Sequence, residues 1–504
     1  MLSNGNPARF LEPFGLFSRR RSQAYFRAFV VCVSLLLLWF NLPLLARLEK
    51  RIIHNDYKTV LHGPDYKGLP GANDTLVVMR TGSTELQDKL PIHLATTLLR
   101  YPNSLVFSDF EEDFEHYHII DALESVDSHL KETSPDFDLW RRLKQFGRAV
   151  LRPDELSGKA VWVDQGTGKA KNPGWKLDKF KFLPMVNRTL FAVPDKKWYI
   201  FVEPDTFIFW QTLLAYLSHL DWTKPYYLGG QINIGGIEFG QGGNGYVISR
   251  PALEKVVSHY QTHQKEYEDF TEGHWAGDCV LGKALKDSGT SLTRAWPIFQ
   301  GDDVGNMNYN HQTQWCQPTV SYHHVSPSEI QDLYDFEKAW MEDTANDTTN
   351  FLRHRDVYRL YALPRMTAPR VDWDNHSKDD RGPTESLESC RVLCEADNAC
   401  LQYTYNAESR CLTTARPNVG QAASNITSGW ILERAQKFYD EAEECHDVNC
   451  ISSCVASATI FEQSEACHIE KLYFSSKRRP LTLEYLKHLS TNHHHEKHPS
   501  PRTV

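Results

Sequence analysis

The sequence predicts an α/β body, a smaller disulfide-rich α+β module and one N-terminal transmembrane helix. Three observations carry this. Short runs rich in β-branched and aromatic residues alternate with stretches of helical apolar spacing between Thr75 and Ser288; eight of the 11 cysteines fall between Cys390 and Cys467; and residues 28–46 carry no charged side chain. Alternating strands and helices imply a mostly parallel sheet covered on both faces. Dense cysteines in one segment read as a disulfide-stapled module, with zinc as the rival reading. At 504 residues the chain exceeds what one core fills, since cores stop growing beyond about 250–300 residues.

The uncharged stretch 28–46 is 19 residues long, just enough to cross a bilayer, which takes about 20. Arg9, Arg19, Arg20, Arg21 and Arg27 precede it against Glu12 alone, and Arg47, Lys50 and Arg51 follow it with Glu49. This bias favours a cytosolic N-terminus. A cleaved signal peptide competes, but the long basic lead and the poor Leu44-Leu45-Ala46 cleavage signature favour a retained anchor. The expected order is a cytosolic tail (1–27), a signal anchor (28–46) and a polar stem (47–72), with everything beyond it lumenal. Sequons at Asn73, Asn187, Asn346, Asn375 and Asn425 agree with that placement. With 41% apolar and 24% charged residues the composition is that of a globular protein. A net charge of −9 argues against nucleic acid as the main partner.

Thr75–Arg80 reads as a strand followed by a Thr81-Gly82-Ser83 turn, Glu85–Arg100 as a helix, and Ser104–Phe110 as a strand with Asp109 near its end. Helical periodicity returns around Phe137–Phe146 and over Trp175–Leu190, where Pro184 predicts a kink or break. The apolar run Trp198–Val202 then ends in Glu203-Pro204-Asp205. Helices are expected near Gln211–Leu220, Pro251–His263 and Cys279–Ser288, with a Gly-dense segment from Gly229 to Gly245.

Glu203 and Asp205, two residues apart, point to the same side of an extended chain. They sit at the carboxyl end of a buried strand, where open α/β sheets bind ligands. Two hard oxygen donors placed so suit Mg²⁺ or Mn²⁺ carrying a diphosphate; a solvated acidic turn is the plain alternative. Three further elements carry chemistry. Gly242-Gly243-Asn244-Gly245 lets backbone approach a ligand, or is a flexible loop. Asp278 opens an apolar helix, as a reactive carboxylate or as an N-cap. His323-His324 offers an imidazole to an oxygen-rich metal site, or is structural.

In this order and spacing the chain resembles glycosyltransferase family 31, and its fungal members related to the fringe and core 1 β-1,3-galactosyltransferase groups. The resemblance runs from about Leu76 to His324. It rests on Arg80-Thr81-Gly82, Ser108-Asp109, Trp175–Pro184, Trp198–Phe209, Gly242–Ser249, Asp278–Gly282 and His323-His324. It implies a GT-A (Rossmann-like) domain over 73–365, a UDP-sugar donor and Mn²⁺ (or Mg²⁺) at the diphosphate. Asp205 is implied as the direct metal ligand, with Glu203 nearer the ribose or a metal-bound water. His324 is the other implied ligand, with His323 as fallback. Asp278 is implied as general base on the acceptor hydroxyl in a single inverting displacement. Thr81, Asp109 and Gly243 are expected at the nucleotide, and Lys181 at the diphosphate. Such an enzyme would be a single-pass type II Golgi membrane protein adding a sugar, through a β-1,3 linkage, to a glycan or glycoprotein.

The first acid is Glu where the family has Asp, and Pro204 stands between the acids; the role of Asp205 survives this better than that of Glu203. A Cys279–Cys316 disulfide is expected to fix the Asp278 loop, against a pair of free thiols. Residues 385–434, with Cys390, Cys394, Cys400 and Cys411 and closing on Trp430-Ile-Leu-Glu, resemble a PAN/apple module, followed by a Cys-containing extension and tail (435–504). The competing reading is a catalytically silent, lectin-like or adhesion protein that binds through this module.

Overall fold

A computed structural model describes residues 65–156, 172–309, 311–344, 347 and 350–445. The strands of the body are β1 (Thr75–Arg80), β2 (Ser104–Ser108), β3 (Glu112–Phe114), β4 (Tyr117–Asp121), β5 (Trp198–Val202), β6 (Phe207–Ile208), β7 (Tyr227–Gly229), β8 (Gln231–Ile234), β9 (Ile237–Gly240), β10 (Tyr246–Ser249), β11 (Leu292–Arg294) and β12 (Ser321–Tyr322). Eight of them form one sheet in the order β11-β7-β10-β5-β1-β2-β4-β3. Its principal helices are α1 (Leu86–Ala95), α2 (Pro173–Ala192), α3 (Trp210–Ser218), α4 (Arg250–Thr262), α5 (Gly277–Asp287) and α6 (Pro327–Asp343).

Strands β1 and β5 are buried along their whole length, and the two-residue period of the pleat divides their side chains between two cores. Val77, Met79, Ile200 and Val202 pack with Leu86, Leu90, Trp210, Leu213 and Leu333 from α1, α3 and α6. Leu76, Val78, Tyr199 and Phe201 pack with Phe182, Met185, Val256, Val280 and Leu281 from α2, α4 and α5. The expected two-sided covering is thus present, but the sheet is mixed. Strand β10 follows the β8–β9 hairpin instead of a crossover helix, so it runs antiparallel to both β5 and β7. Helix α2 continues through Pro184 without the expected break, capped by the Asn172 side chain on the Gly174 amide at 2.8 Å. The 85–100 helix is in fact two, ending at Ala95 and resuming over Thr97–Arg100.

The C-terminal region is built on strands β13 (Arg370–Asp374), β14 (Asp379–Pro383), β15 (Gln402–Tyr405), β16 (Arg410–Thr414) and β17 (Gln421–Trp430), with helices α7 (Leu387–Ala396) and α8 (Leu432–Asp440). The five strands form an antiparallel sheet, order β13-β17-β15-β16-β14, which takes in residues N-terminal to the expected boundary at 385. Cys390 and Cys394 share a face of α7 and bond to Cys411 and Cys400. Trp430 and Ala435 join the body's core, and the Tyr358 hydroxyl donates to the Ala435 carbonyl at 2.8 Å. Asn375, one of the sequons, is fully buried: its Nδ2 donates to the Tyr403 and Gly429 carbonyls, and its Oδ1 accepts from Thr404. Folding therefore uses this amide as an internal node.

Two expectations need correction. Cys316 bonds to Cys445, while Cys279 is a free thiol in an apolar niche with Phe239 and Ala276; the bridge ties the body to the segment after α8 and leaves the Asp278 loop unlinked. The expected transmembrane helix finds no support either. Among the described residues no helix is long and apolar enough to cross a membrane. The longest, α2, carries Lys176, Asp178, Lys179 and Lys181 and spends its apolar residues on the protein core. Residues 28–46 lie outside the described residues. Type II topology, Golgi membrane placement and a membrane partner rest on that helix, and no described helix supports them.

Candidate functional site

Chain direction gathers the chemistry at one edge of the sheet. Strands β1, β2 and β5 are parallel, so Thr81, Asp109 and the Glu203–Asp205 turn leave from the same end. Antiparallel β10 begins there, with Tyr246 opposite Phe201, which sets Gly242–Gly245 beside the acidic turn. Asp278, in the first turn of α5, is bound to this loop: its Oδ2 accepts from the Gly242 amide at 3.0 Å.

A two-stranded ladder brings in the histidines. Ser321 pairs with Ile208 and Tyr322 with Phe207, antiparallel, and the Val325 amide donates to the Asp205 carbonyl at 3.0 Å. Consecutive residues of a strand point to opposite faces. His324, however, has φ of 58°, a left-handed conformation that interrupts the alternation, and its ring stacks on that of His323 with centroids 3.8 Å apart. One ligand atom each from Asp205, His323 and His324 lie within 4.8 Å of one another, close to the spacing of ligands that share one ion at roughly 2.1 Å each. Asp205 Oδ1 and His323 Nδ1 are buried without a hydrogen-bond partner. Two imidazoles and one carboxylate form a donor set suited to a divalent cation such as Mn²⁺. The residues present therefore fit a metal, with His323 as full a member as His324.

Gly243 makes room for this arrangement. A Cβ there would stand 2.0 Å from His323 Cε1 and 2.3 Å from its Nε2, inside any permitted contact. Gly243→Ala is expected to push the ring out of the triad and lower Mn²⁺ affinity by about 10–100-fold, as loss of a ligand's support does, while all three ligands stay in place; titration calorimetry with the metal alone reads this.

Electrostatics divide the two acids of the turn. Burial would raise the Asp205 pKa, but the His323 ring, its Nε2 3.5 Å from Oδ1, and the Lys89 ammonium, 3.1 Å from Oδ2, hold it well below the usual carboxylate range. Glu203 is instead pushed up to about 7, by burial and the neighbouring Asp205 charge against the pull of Arg80. Its Oε1 is bound by the Arg80 guanidinium, which also grips Asp178 and lies 4.1 Å over the Phe182 ring. Glu203 thus stands outside the triad. Asp278 has its pKa raised by burial, opposed by the Gly242 amide and by Arg80.

Lys181 is buried, donating to the Thr81 carbonyl at 2.8 Å and lying 3.3 Å from Asp109 and 3.4 Å from Asp178. Asp109 is also buried and accepts from the Ser83 amide at 2.9 Å. The pair fixes the 81–83 turn, and the Lys181 ammonium is already enclosed. Trp275 (57% exposed) and Trp296 (40% exposed) are not core residues. Sequence reasoning gave no role to Arg80, Lys89 or Asp178. Arg80 and Asp178 lie within motifs already quoted, and a lone charge closing the buried strand β1 was the available signal. Lys89, four residues beyond Glu85 and 3.0 Å from its carboxylate, looks like an ordinary helical pair.

A mixed α/β domain of GT-A-like design, with a candidate metal triad and a carboxylate at the strand ends, defines the glycosyltransferase-like class. Within the chain, residues 182–352 match the family described as Fringe-like. The match takes in Glu203, Asp205, Gly243, Asp278 and both histidines, and ends before the disulfide-rich region, so nothing in it supports a PAN/apple module. No curated protein matches the chain.

Proposed function

We propose that the chain is a metal-dependent inverting glycosyltransferase that moves a sugar from a UDP-sugar to a hydroxyl of a glycan or glycoprotein, forming a β-1,3 linkage. The observation that carries this reading is the meeting of Asp205, His323 and His324 inside the Fringe-like stretch, with Asp278 tied to the adjoining Gly242. Asp205, His323 and His324 would hold the cation, which when bound neutralises charge on the diphosphate leaving group.

The chain's own residues do the rest. Asp278 accepts the proton of the acceptor hydroxyl as that oxygen attacks the anomeric carbon, and its raised pKa strengthens it as a base. Arg80 fixes Glu203, and Lys181 with Asp109 fixes the Thr81–Ser83 turn on the nucleotide side. The exposed indoles of Trp275 and Trp296 suit stacking on an acceptor sugar. The α7-on-sheet unit, with its two disulfides, is read as a PAN/apple-like contact module.

Incubating the protein with UDP-galactose, UDP-glucose or UDP-N-acetylglucosamine tests the reading. UDP release is expected with Mn²⁺ and is lost to chelator. Absence of both binding and turnover for every UDP-sugar, in every divalent metal, would end it and leave the silent scaffold.

A further inference from the structure

Beside the triad the fold buries a pair of amides for which the proposed chemistry so far has no use. Asn244 and Gln300 are 4% and 2% exposed. Asn244 Oδ1, an acceptor, and Gln300 Nε2, a donor, have no hydrogen-bond partner. Both side chains are anchored by their surroundings. Asn244 is seated between two glycines: a Cβ at Gly230 would lie 2.3 Å from its Nδ2, and one at Gly301 3.0 Å from its Oδ1. Gln300 Oε1 accepts from the Gly301 amide at 3.0 Å. Gln241 Oε1 comes within 3.4 Å of the same Gly301 Cβ position, so three amides surround one bare α-carbon.

The position of this cluster is set by the triad's own backbone. Asn244 follows Gly243, the glycine under the His323 ring, and its carbonyl accepts from the Ser321 hydroxyl at 2.6 Å. The Gln300 backbone N–H donates to the Ser321 carbonyl at 3.3 Å, two residues before His323. An unsatisfied buried polar atom costs about 1–3 kcal/mol. A ligand group that satisfies both at once recovers that cost. One free acceptor and one free donor are complementary to a hydroxyl, which donates and accepts through the same oxygen.

We infer that Asn244 and Gln300 form a sugar-recognition subsite that grips one hydroxyl of the hexose being transferred. The inference rests on the donor reading above, because a hexose is delivered to this place by the pyrophosphate it is linked to. Uncharged amides beside a cation site also suit a neutral ring better than another phosphate. The subsite therefore bears on which sugar is used and leaves the hold on UDP to other residues.

The test is calorimetry on the full chain with Mn²⁺, comparing UDP with UDP-galactose, UDP-glucose and UDP-N-acetylglucosamine, for the native protein, Asn244→Ala and Gln300→Ala. UDP affinity is expected to stay within about two-fold in both variants. The added affinity contributed by the preferred sugar is expected to fall roughly ten-fold, the worth of one hydrogen bond to a buried group, and discrimination between the epimeric sugars to shrink with it. Equal losses for UDP and UDP-sugar would show that the amides only support the fold or hold a water, and would overturn the subsite, as would unchanged sugar affinity in both variants. If the native protein binds UDP but gains nothing from any sugar, the subsite fails while the nucleotide reading stands. If it binds no nucleotide at all, the donor reading fails first and takes the subsite with it.

Discussion

Asp278→Asn is expected to remove transfer while leaving UDP affinity within a few-fold of native. Loss of a general base reduces turnover by about 10²–10⁴-fold, and the amide is nearly isosteric with the carboxylate. Asn keeps an oxygen for one of the two backbone donors that Asp278 satisfies, the Gly242 amide at 3.0 Å and the Cys279 amide at 2.9 Å. The fold should therefore survive, and equilibrium denaturation should show a change within about 1 kcal/mol. The pH profile separates catalysis from mere support. The base acts only when ionised, and burial raises its pKa, so activity should fall as pH drops through a value above the ordinary aspartate range of about 3.9. In the variant this acid limb should vanish from the residual rate. A variant with native turnover, or with the same acid limb, removes Asp278 from the role.

Asp205→Ala is expected to act earlier, on the cation itself. It deletes the only carboxylate of the triad and leaves Lys89 paired to Glu85 alone. Supporting residues of metal ligands are worth about 10–100-fold in affinity, so loss of the ligand should exceed about 100-fold. Titration with Mn²⁺ alone measures this without any turnover assay, and UDP-sugar binding should weaken in parallel. Glu203→Gln offers the contrast. Glu203 is engaged by Arg80 and not by the triad, so Mn²⁺ affinity should hold within a few-fold. If Glu203→Gln weakens the metal as much as Asp205→Ala, the division of labour drawn here is wrong.

Much of this was legible in the chain. The apolar run 198–202 closing on two acids, the Gly-rich 242–245 segment, the Asp278 helix start and the His pair all stand where local pattern put them, at strand ends and turns. Clustered cysteines correctly signalled disulfides over zinc in the described residues. What could not be read concerns partners. The i, i+2 spacing of Glu203 and Asp205 suggested a shared ion, yet Arg80, arriving from a neighbouring strand, captures Glu203 and leaves Asp205 to the histidines. The His pair offered one ligand, His324 with His323 as fallback, and the left-handed backbone at His324 brings both rings to Asp205. Cys316 had a near candidate in Cys279 and chose Cys445.

The division has a physical basis. Periodicity, turn chemistry and the sorting of apolar from polar residues act over a few residues, so the sequence by itself determined the central strands β1, β2 and β5, the covering of both faces and which of their residues stand at the sheet's edge. Contacts between distant segments depend on strand register and backbone direction, which are settled only when the two cores pack together. The tertiary structure alone therefore decided that Arg80 restrains one acid, that both imidazoles face the other, and that two amides, each with one unpartnered atom, lie beside them.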